Sequence, residues 1–278
     1  MITACRDDTK GKTAVDKIKK ASKNEKVEYI QLDLNSLTSV RQFASEFRKK
    51  NLPLHLLVNN AGMNSILSTI SYVPSGIMNL PKRTETADGF EAQFGVNHLG
   101  HFLLTNLLLD ILKSSAPARI VNVSSSMHYG GDIRWDDIGY KNSYNPVQSN
   151  SNSKVANVLF TNELAKRLEG TGVVVNSIHP GSVDTELTRY NEFPGQHTVK
   201  KMICKRFFRN SVIDEFYLVR TPYEGALTQI WVAVAPEAEK VTGKFWSDCG
   251  IVDSSSLSND EKAQSKLWDL SAKLVNLK

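Results

Sequence analysis

Six short runs rich in β-branched and aliphatic residues punctuate the chain: MITACR (1–6), VEYIQLDL (27–34), LHLLVNNAG (54–62), ARIVNVSSS (118–126), VVVNSIHPG (173–181) and the weaker GKFWSD (243–248). Between them apolar residues recur at helical spacing. Val40, Phe43, Ala44 and Phe47 fall at i, i+3, i+4 and i+7, and Val155, Val158, Leu159, Leu164 and Leu168 trace a similar stripe. Arg41, Glu46, Lys49, Asn162 and Lys166 are left for solvated faces. Residues 90–113, FEAQFGVNHLGHFLLTNLLLDILK, predict one central buried helix, and residues 149–168 predict a long amphipathic one. The alternation of strand and helix predicts an α/β fold, and unbroken apolar strands such as RIVNV predict a parallel sheet covered on both faces. Irregular stretches fall at 63–84, 127–148 and 185–220, and 254–259 is a polar, Ser-rich loop before a last helix. Neither a repeat nor a low-complexity linker divides the chain, so residues 1–278 are expected to form one domain.

Composition agrees with that picture. A chain of 278 residues with 41% hydrophobic and 23% charged positions is long enough to bury one large core. The 34 basic and 29 acidic residues leave +5, a mild excess that suits an anionic ligand or a membrane surface and falls short of a nucleic-acid-binding face. Cys5, Cys204 and Cys249 show no CxxC or Cys/His spacing, so no metal site is expected and a reducing compartment is the default. No apolar run approaches the roughly 20 residues that span a bilayer, and no signal-peptide pattern opens the chain, so a cytoplasmic location is expected.

Three of the apolar runs end in small or polar residues: NNAG at 59–62, SSS at 124–126 and HPG at 179–181. In an open parallel sheet, ligands sit in the crevice beyond the carboxyl ends of the strands. Glycine and alanine there let backbone approach a ligand, and hydroxyls or amides offer hydrogen bonds. Each run alone also makes an ordinary turn. Their recurrence at three strand ends predicts a binding cleft.

ACRD (4–7), LDL (32–34), NNAG (59–62), TADGFEAQFGVNHLGHFLL (86–104), RIVNVSS (119–125), SKVANVLFTNELAKRL (153–168), HPG (179–181) and TGKFWSDC (242–249) together resemble, in order and spacing, the short-chain dehydrogenase/reductase family, and within it the retinol dehydrogenase branch. The resemblance implies a single-domain, Rossmann-like, doubly wound parallel sheet. It also implies hydride transfer between a nicotinamide cofactor and a small lipophilic alcohol, aldehyde or ketone. By the same resemblance Asn59, Ala61 and Gly62 line the adenosine ribose and steady the central strand, and Asp33 and Leu34 flank adenine. Arg6 pairs with a 2′-phosphate, which favours NADP(H) over NAD(H) because a guanidinium forks onto phosphate oxygens; the alternative for Arg6 is a solvated strand-end cation. Pro180, Gly181, Val183 and Thr185 border the nicotinamide and its phosphate.

The family's catalytic group is Asn, Ser, Tyr and Lys. Here Asn97 corresponds to the residue that holds a water relay, Ser125 to the hydroxyl that meets the substrate oxygen, and Lys154 to the cation that binds the nicotinamide ribose and lowers the tyrosine's pKa. The alternatives are a helix-kinking amide, a strand-end turn and a surface cation. The tyrosine position, four residues before Lys154, holds Asn150, and Tyr144 lies ten residues before it. An amide has no proton to give near neutral pH.

Two further departures from the pattern accompany this one. The chain opens at what resembles the family's second strand, so the first strand and its TGxxxGIG turn, which would set backbone N–H groups against a pyrophosphate, are missing from it. Residues 63–76, MNSILSTISYVPSG, interrupt the run after NNAG as an insertion would. These features leave two readings open: an oxidoreductase of the retinol dehydrogenase type, or a catalytically inactive dehydrogenase-like binding or regulatory protein, with a truncated gene model or splice form as their origin. The segment 185–220 is expected to cover the substrate. Within it VKKMICKRFFR (199–209) suits either a solvated helix or a lid that touches a membrane surface such as the endoplasmic reticulum.

Overall fold

The computed structural model describes residues 1–62, 83–183 and 219–277. Strand β1 (Ile2–Cys5) runs parallel to β2 (Glu28–Gln31). Strands β3 (Leu56–Asn59), β4 (Ala118–Val123) and β5 (Val173–His179) pair in parallel and in that order. The short strands β6 (Ser182–Val183) and β7 (Val219–Arg220) make a small parallel pair beyond β5. β8 (Phe245–Ser247) joins β5 in parallel, and β9 (Gly250–Val252) closes that edge antiparallel to β8. The expected insertion 63–76, Thr185 and the 199–209 segment lie outside the described residues.

Local chemistry starts the helices where the sequence offers caps. Asp7 caps α1 (Asp8–Ser22) and Ser36 caps α2 (Leu37–Lys49), each accepting from a backbone N–H in the first turn. Residues 90–113 do not form the single buried helix expected from the sequence. They divide into α3 (Ala92–Phe94), a π-helical turn (Gly95–Leu99), α4 (Gly100–Leu107) and α5 (Leu109–Ser114). Gly95 lies so close to Thr86 that a Cβ would stand 2.4 Å from its methyl, and the wide turn that follows carries Asn97 and His98 inward.

The long helix α6 (Pro146–Arg167) begins earlier than the sequence suggests, with Asn145 as its cap and Pro146 in its first turn. It is also less amphipathic than expected: Ser149, Asn150, Ser151, Asn152 and Ser153 are all buried. Asn162, expected in solvent, donates to the Ser258 carbonyl at 2.8 Å. A Thr221–Glu224 capping box starts α7 (Pro222–Val234), and Asp260 caps α8 (Glu261–Leu274).

Alternate residues of the central strands feed two cores. Ile120 and Val175 join α2, α4, α6 and α8 in the larger one, while Val121, Val123 and Ile178 meet Val232 and Trp246 in the smaller one on the α7 side. Phe102 is fully buried, with its ring centroid 5.1 Å from Phe160 and 5.0 Å from Trp268. Truncation of such a residue to alanine costs about 3–5 kcal/mol.

Among the described residues, β1 and β3 each have one edge with no strand hydrogen-bonded to it. Leu56 and Val58 of β3 are 37% and 39% exposed, which is high for aliphatic side chains in a sheet. Helix α7 packs beside β3, where Gln229 Nε2 donates to Asn60 Oδ1 at 2.7 Å, and it presents Tyr223, Leu227, Ile230, Trp231 and Val234 to the outside. No helix among the described residues is long and apolar enough to cross a membrane.

Candidate functional site

The parallel register brings polar residues into one row. Asn59 stands opposite Asn122, and Asn122 opposite Ser177. Asn59 Nδ2 donates to Asn122 Oδ1 at 2.8 Å and to Thr105 Oγ1 at 2.9 Å, and Asn122 Nδ2 donates to Thr161 Oγ1 at 2.9 Å. This ladder ties β3 and β4 to α4 and α6 in buried surroundings, with Asn59 Oδ1 left as a buried acceptor without a partner. The carboxyl ends of the strands are thereby held in a fixed arrangement.

Just beyond that row, Gly62, Asn97 and Lys154 converge. A Cβ placed on Gly62 would lie 3.4 Å from Asn97 Oδ1 and 3.7 Å from Lys154 Nζ, so the glycine leaves open a small volume flanked by an amide oxygen and an ammonium. Asn97, on the π-helical turn, donates from Nδ2 to Ser153 Oγ at 2.9 Å, and Ser153 Oγ donates onward to the Asn150 carbonyl at 2.7 Å. Ser124 Oγ donates to the Lys154 carbonyl at 2.8 Å and so fixes α6 against the end of β4. Lys154 is half-buried, and desolvation of its ammonium pushes its pKa down to about 8.

Ser125 caps the short 3₁₀ turn Ser126–Gly130 and accepts from the Met127 N–H at 3.2 Å. The next side chain, His128, is fixed as one tautomer. Its Nε2 accepts from the Ser255 N–H at 3.2 Å, so Nδ1 carries the proton and donates to the Ser125 carbonyl at 2.7 Å. Burial lowers its pKa and favours the neutral ring.

Asn150 points into a different neighbourhood. It is 1% exposed, and its Nδ2 donates to Gln93 Oε1 at 2.8 Å. Gln93 Nε2 in turn donates to Tyr144 Oη at 3.2 Å and to the Pro146 carbonyl at 3.1 Å. Tyr144 thus belongs to this buried amide chain. Nearby Tyr140 Oη accepts from Asn152 Nδ2 at 2.7 Å, and burial pushes its phenol up to about 12.

The residues expected to meet the cofactor fall at two places, the end of the β1–β2 pair and the ends of β3 and β5 in the five-stranded sheet. Arg6 lies exposed at the end of β1. Asp33 Oδ1 accepts from the Asn35 N–H at 3.0 Å, while Leu34 is buried against Gly100 of α4. Ala61 is exposed, and Pro180, Gly181 and Val183 are half-buried beyond β5. His179, at the end of β5, is buried, and burial pushes it down to about 4. Among the described residues no group of His, Cys, Asp and Glu side chains could hold a metal ion.

The sequence patterns did not point to Gln93 or Arg220. Gln93 is one of several polar residues in a segment that the sequence predicts as a buried helix, and its bond to Asn150 joins residues 57 apart. Arg220 ends a stretch without periodicity; the only cue beside it is the Thr-Pro-x-Glu cap that starts α7.

A family model described as short chain dehydrogenase matches residues 1–193. Human retinol dehydrogenase 14 is 47% identical over 247 residues, which are 89% of this chain and 66% of that protein. The chain therefore spans just under two thirds of that relative's length. Human retinol dehydrogenase 12 is 41% identical over 275 residues, or 99% of this chain and 78% of that protein. An uncharacterised protein from Mycobacterium paratuberculosis superposes with a TM-score of 0.69 at 30% identity, covering 99% of this chain and 83% of its own. The NADPH-bound carbonyl reductase from chicken fatty liver gives 0.57 at 22% identity over 90% of this chain and 86% of its own, and bears on the fold alone. The motifs at the strand ends, the Rossmann-like sheet and these similarities agree: the chain belongs to the short-chain dehydrogenase family, in its retinol dehydrogenase branch.

Proposed function

We propose that the chain is an oxidoreductase of the retinol dehydrogenase type that binds NADP(H) along the carboxyl edge of its sheet and takes a lipophilic alcohol, aldehyde or ketone. The observation that carries this reading is the convergence of Gly62, Asn97 and the half-buried Lys154 on one small volume. A ribose hydroxyl suits that volume, because the ammonium donates, the amide oxygen accepts, and the glycine removes the side chain that would block it. Lys154 then holds the nicotinamide ribose and Ser125 orients the substrate oxygen. Asn59, Ala61 and Gly62 line the ribose on the adenosine side, Asp33 and Leu34 lie beside the adenine, and Pro180, Gly181, Val183 and Thr185 border the nicotinamide. Arg6, exposed at the end of β1, is the group for a 2′-phosphate and the reason for preferring NADP(H). When bound, the cofactor supplies or accepts the hydride.

A second reading has its own observation. Asn150 stands at the position of the proton donor, is buried, and commits its amide to Gln93, so the chain carries no phenol there to accompany hydride transfer. In that case the cleft binds cofactor and substrate without turnover. Titration of NADPH fluorescence with the purified chain, followed by single-turnover reduction of retinal, separates the two. Binding with turnover supports the enzyme, binding without turnover supports the inactive form, and absence of dinucleotide binding rejects both.

A further inference from the structure

Arg220 occupies a place that only glycine permits. Its guanidinium lies across Gly181, where a Cβ would stand 2.5 Å from Nε and 2.7 Å from both Cδ and Cζ, and Gly181 itself takes a φ of +82°. Two further elements fix the side chain. Strand pairing sets Arg220 opposite Val183, two residues past Gly181, and on the other side Nη2 meets Asp248 Oδ1 at 2.6 Å. Asp248 and Cys249 are consecutive residues of positive φ, +50° and +61°, which make the tight turn between Ser247 of β8 and Gly250 of β9. The carboxylate is therefore presented from a rigid hairpin.

This arrangement sits at the carboxyl end of β5, beside His179, whose proton affinity is lowered first by burial and next by the charge of Arg220. The nearby start of α7 is already satisfied by Thr221 and Glu224, so its backbone N–H groups are not the local anion site. The cation there is Arg220. Asp248 has 58% of its side chain in solvent against 24% for Arg220, so the carboxylate can swing out to water while the guanidinium stays in place for another acceptor.

We propose that Arg220 is a further anion-binding residue of the cleft: laid over Gly181 and held in reserve by Asp248, it takes a phosphate of the dinucleotide's diphosphate bridge as that carboxylate gives way. The assignment rests on the NADP(H) reading for the identity of the ligand, although the anion site itself can be tested without it. A guanidinium fork matches two phosphate oxygens, and the fixed backbone on either side means that little side-chain freedom is lost on binding.

The test uses the whole chain with two probes, inorganic diphosphate and NADPH, each titrated calorimetrically at two salt concentrations. Arg220→Gln is expected to weaken both at least tenfold and to flatten the salt dependence. Asp248→Asn is expected to act in the opposite direction, strengthening diphosphate binding a few-fold because the competing carboxylate is gone. Arg220→Lys should restore only part of the affinity, since it keeps the charge and loses the fork. If diphosphate binds through Arg220 but NADPH does not bind at all, the anion site stands and the dinucleotide reading fails. Wild-type affinity for both probes in Arg220→Gln, a loss rather than a gain in Asp248→Asn, or no diphosphate binding by the unmodified chain would each overturn the proposal and leave the Arg220–Asp248 pair as a structural clasp.

Discussion

Asn150 Nδ2 donates to Gln93 Oε1 across 2.8 Å, and both residues are 1% exposed. The bond joins the first half of α6 to α3 at a depth where water does not compete. Removal of the acceptor in Gln93→Leu should cost about 1–3 kcal/mol, the usual consequence of taking a partner from a buried donor. Gln93→Glu, which keeps an oxygen at that place, should lose less at low pH than at neutral pH. Urea midpoints for the three proteins check this.

The same bond bears on activity. A phenol at 150 cannot reproduce the amide's contact with Gln93, but it would sit one helical turn from Lys154, whose ammonium favours phenolate. In a chain that also carries an upstream strand and a glycine-rich turn, Asn150→Tyr is expected to raise NADPH-dependent reduction of retinal by about 10² to 10⁴, the range of general acid–base catalysis. Adding Lys154→Met should remove the gain. A tyrosine variant that binds cofactor and still shows no turnover would favour the inactive reading.

Acid stability should follow three buried histidines. Burial pushes His98 down to about 3, and His101 and His179 to about 4, from a value of 6.5 in the open chain. Across that window the unfolded chain binds protons that the folded chain refuses. The contribution is complete above pH 6.5 and is lost as pH falls toward 4, by up to about 1.4 kcal/mol per pH unit for each group. Denaturant midpoints that stay flat between neutral pH and about pH 5 would sink the prediction.

Lys154 should show a trade between stability and binding. Its pKa falls from 10.5 to about 8 through burial, so the folded chain disfavours the charged form. Stability from this group therefore rises as pH climbs from about 8 to 10.5, and below 8 the whole penalty is present. Lys154→Met is expected to melt higher than the unmodified chain at neutral pH, with the gap closing in alkali, while dinucleotide affinity drops. Thermal midpoints at neutral and alkaline pH, measured beside an NADPH titration, decide it.

Several of these elements were legible from residue pattern. Five strands, β1 to β5, and β8 follow runs of branched apolar residues, and β4, β5 and β8 are buried almost throughout, as strands covered on both faces are. β6 and β7, at two residues each, are too short to leave a period, and β9 has a single hairpin partner. The division of 90–113 escaped for another reason: polar residues such as Gln93, Asn97, His98 and Thr105 are buried there alongside the apolar ones, so no period marks the wide turn that brings Asn97 to Gly62. The row Asn59–Asn122–Ser177 and the cradle of Gly181 and Arg220 depend on register between distant strands, which no local window contains.

The open edge of β3 has a consequence for how the protein must be handled. Among the described residues this edge leaves Leu56 and Val58 37% and 39% exposed, next to a helix that shows Tyr223, Leu227, Ile230, Trp231 and Val234, and apolar surface of that extent favours association. Yield and monodispersity will therefore track protein concentration and temperature more steeply than the depth of the core would suggest.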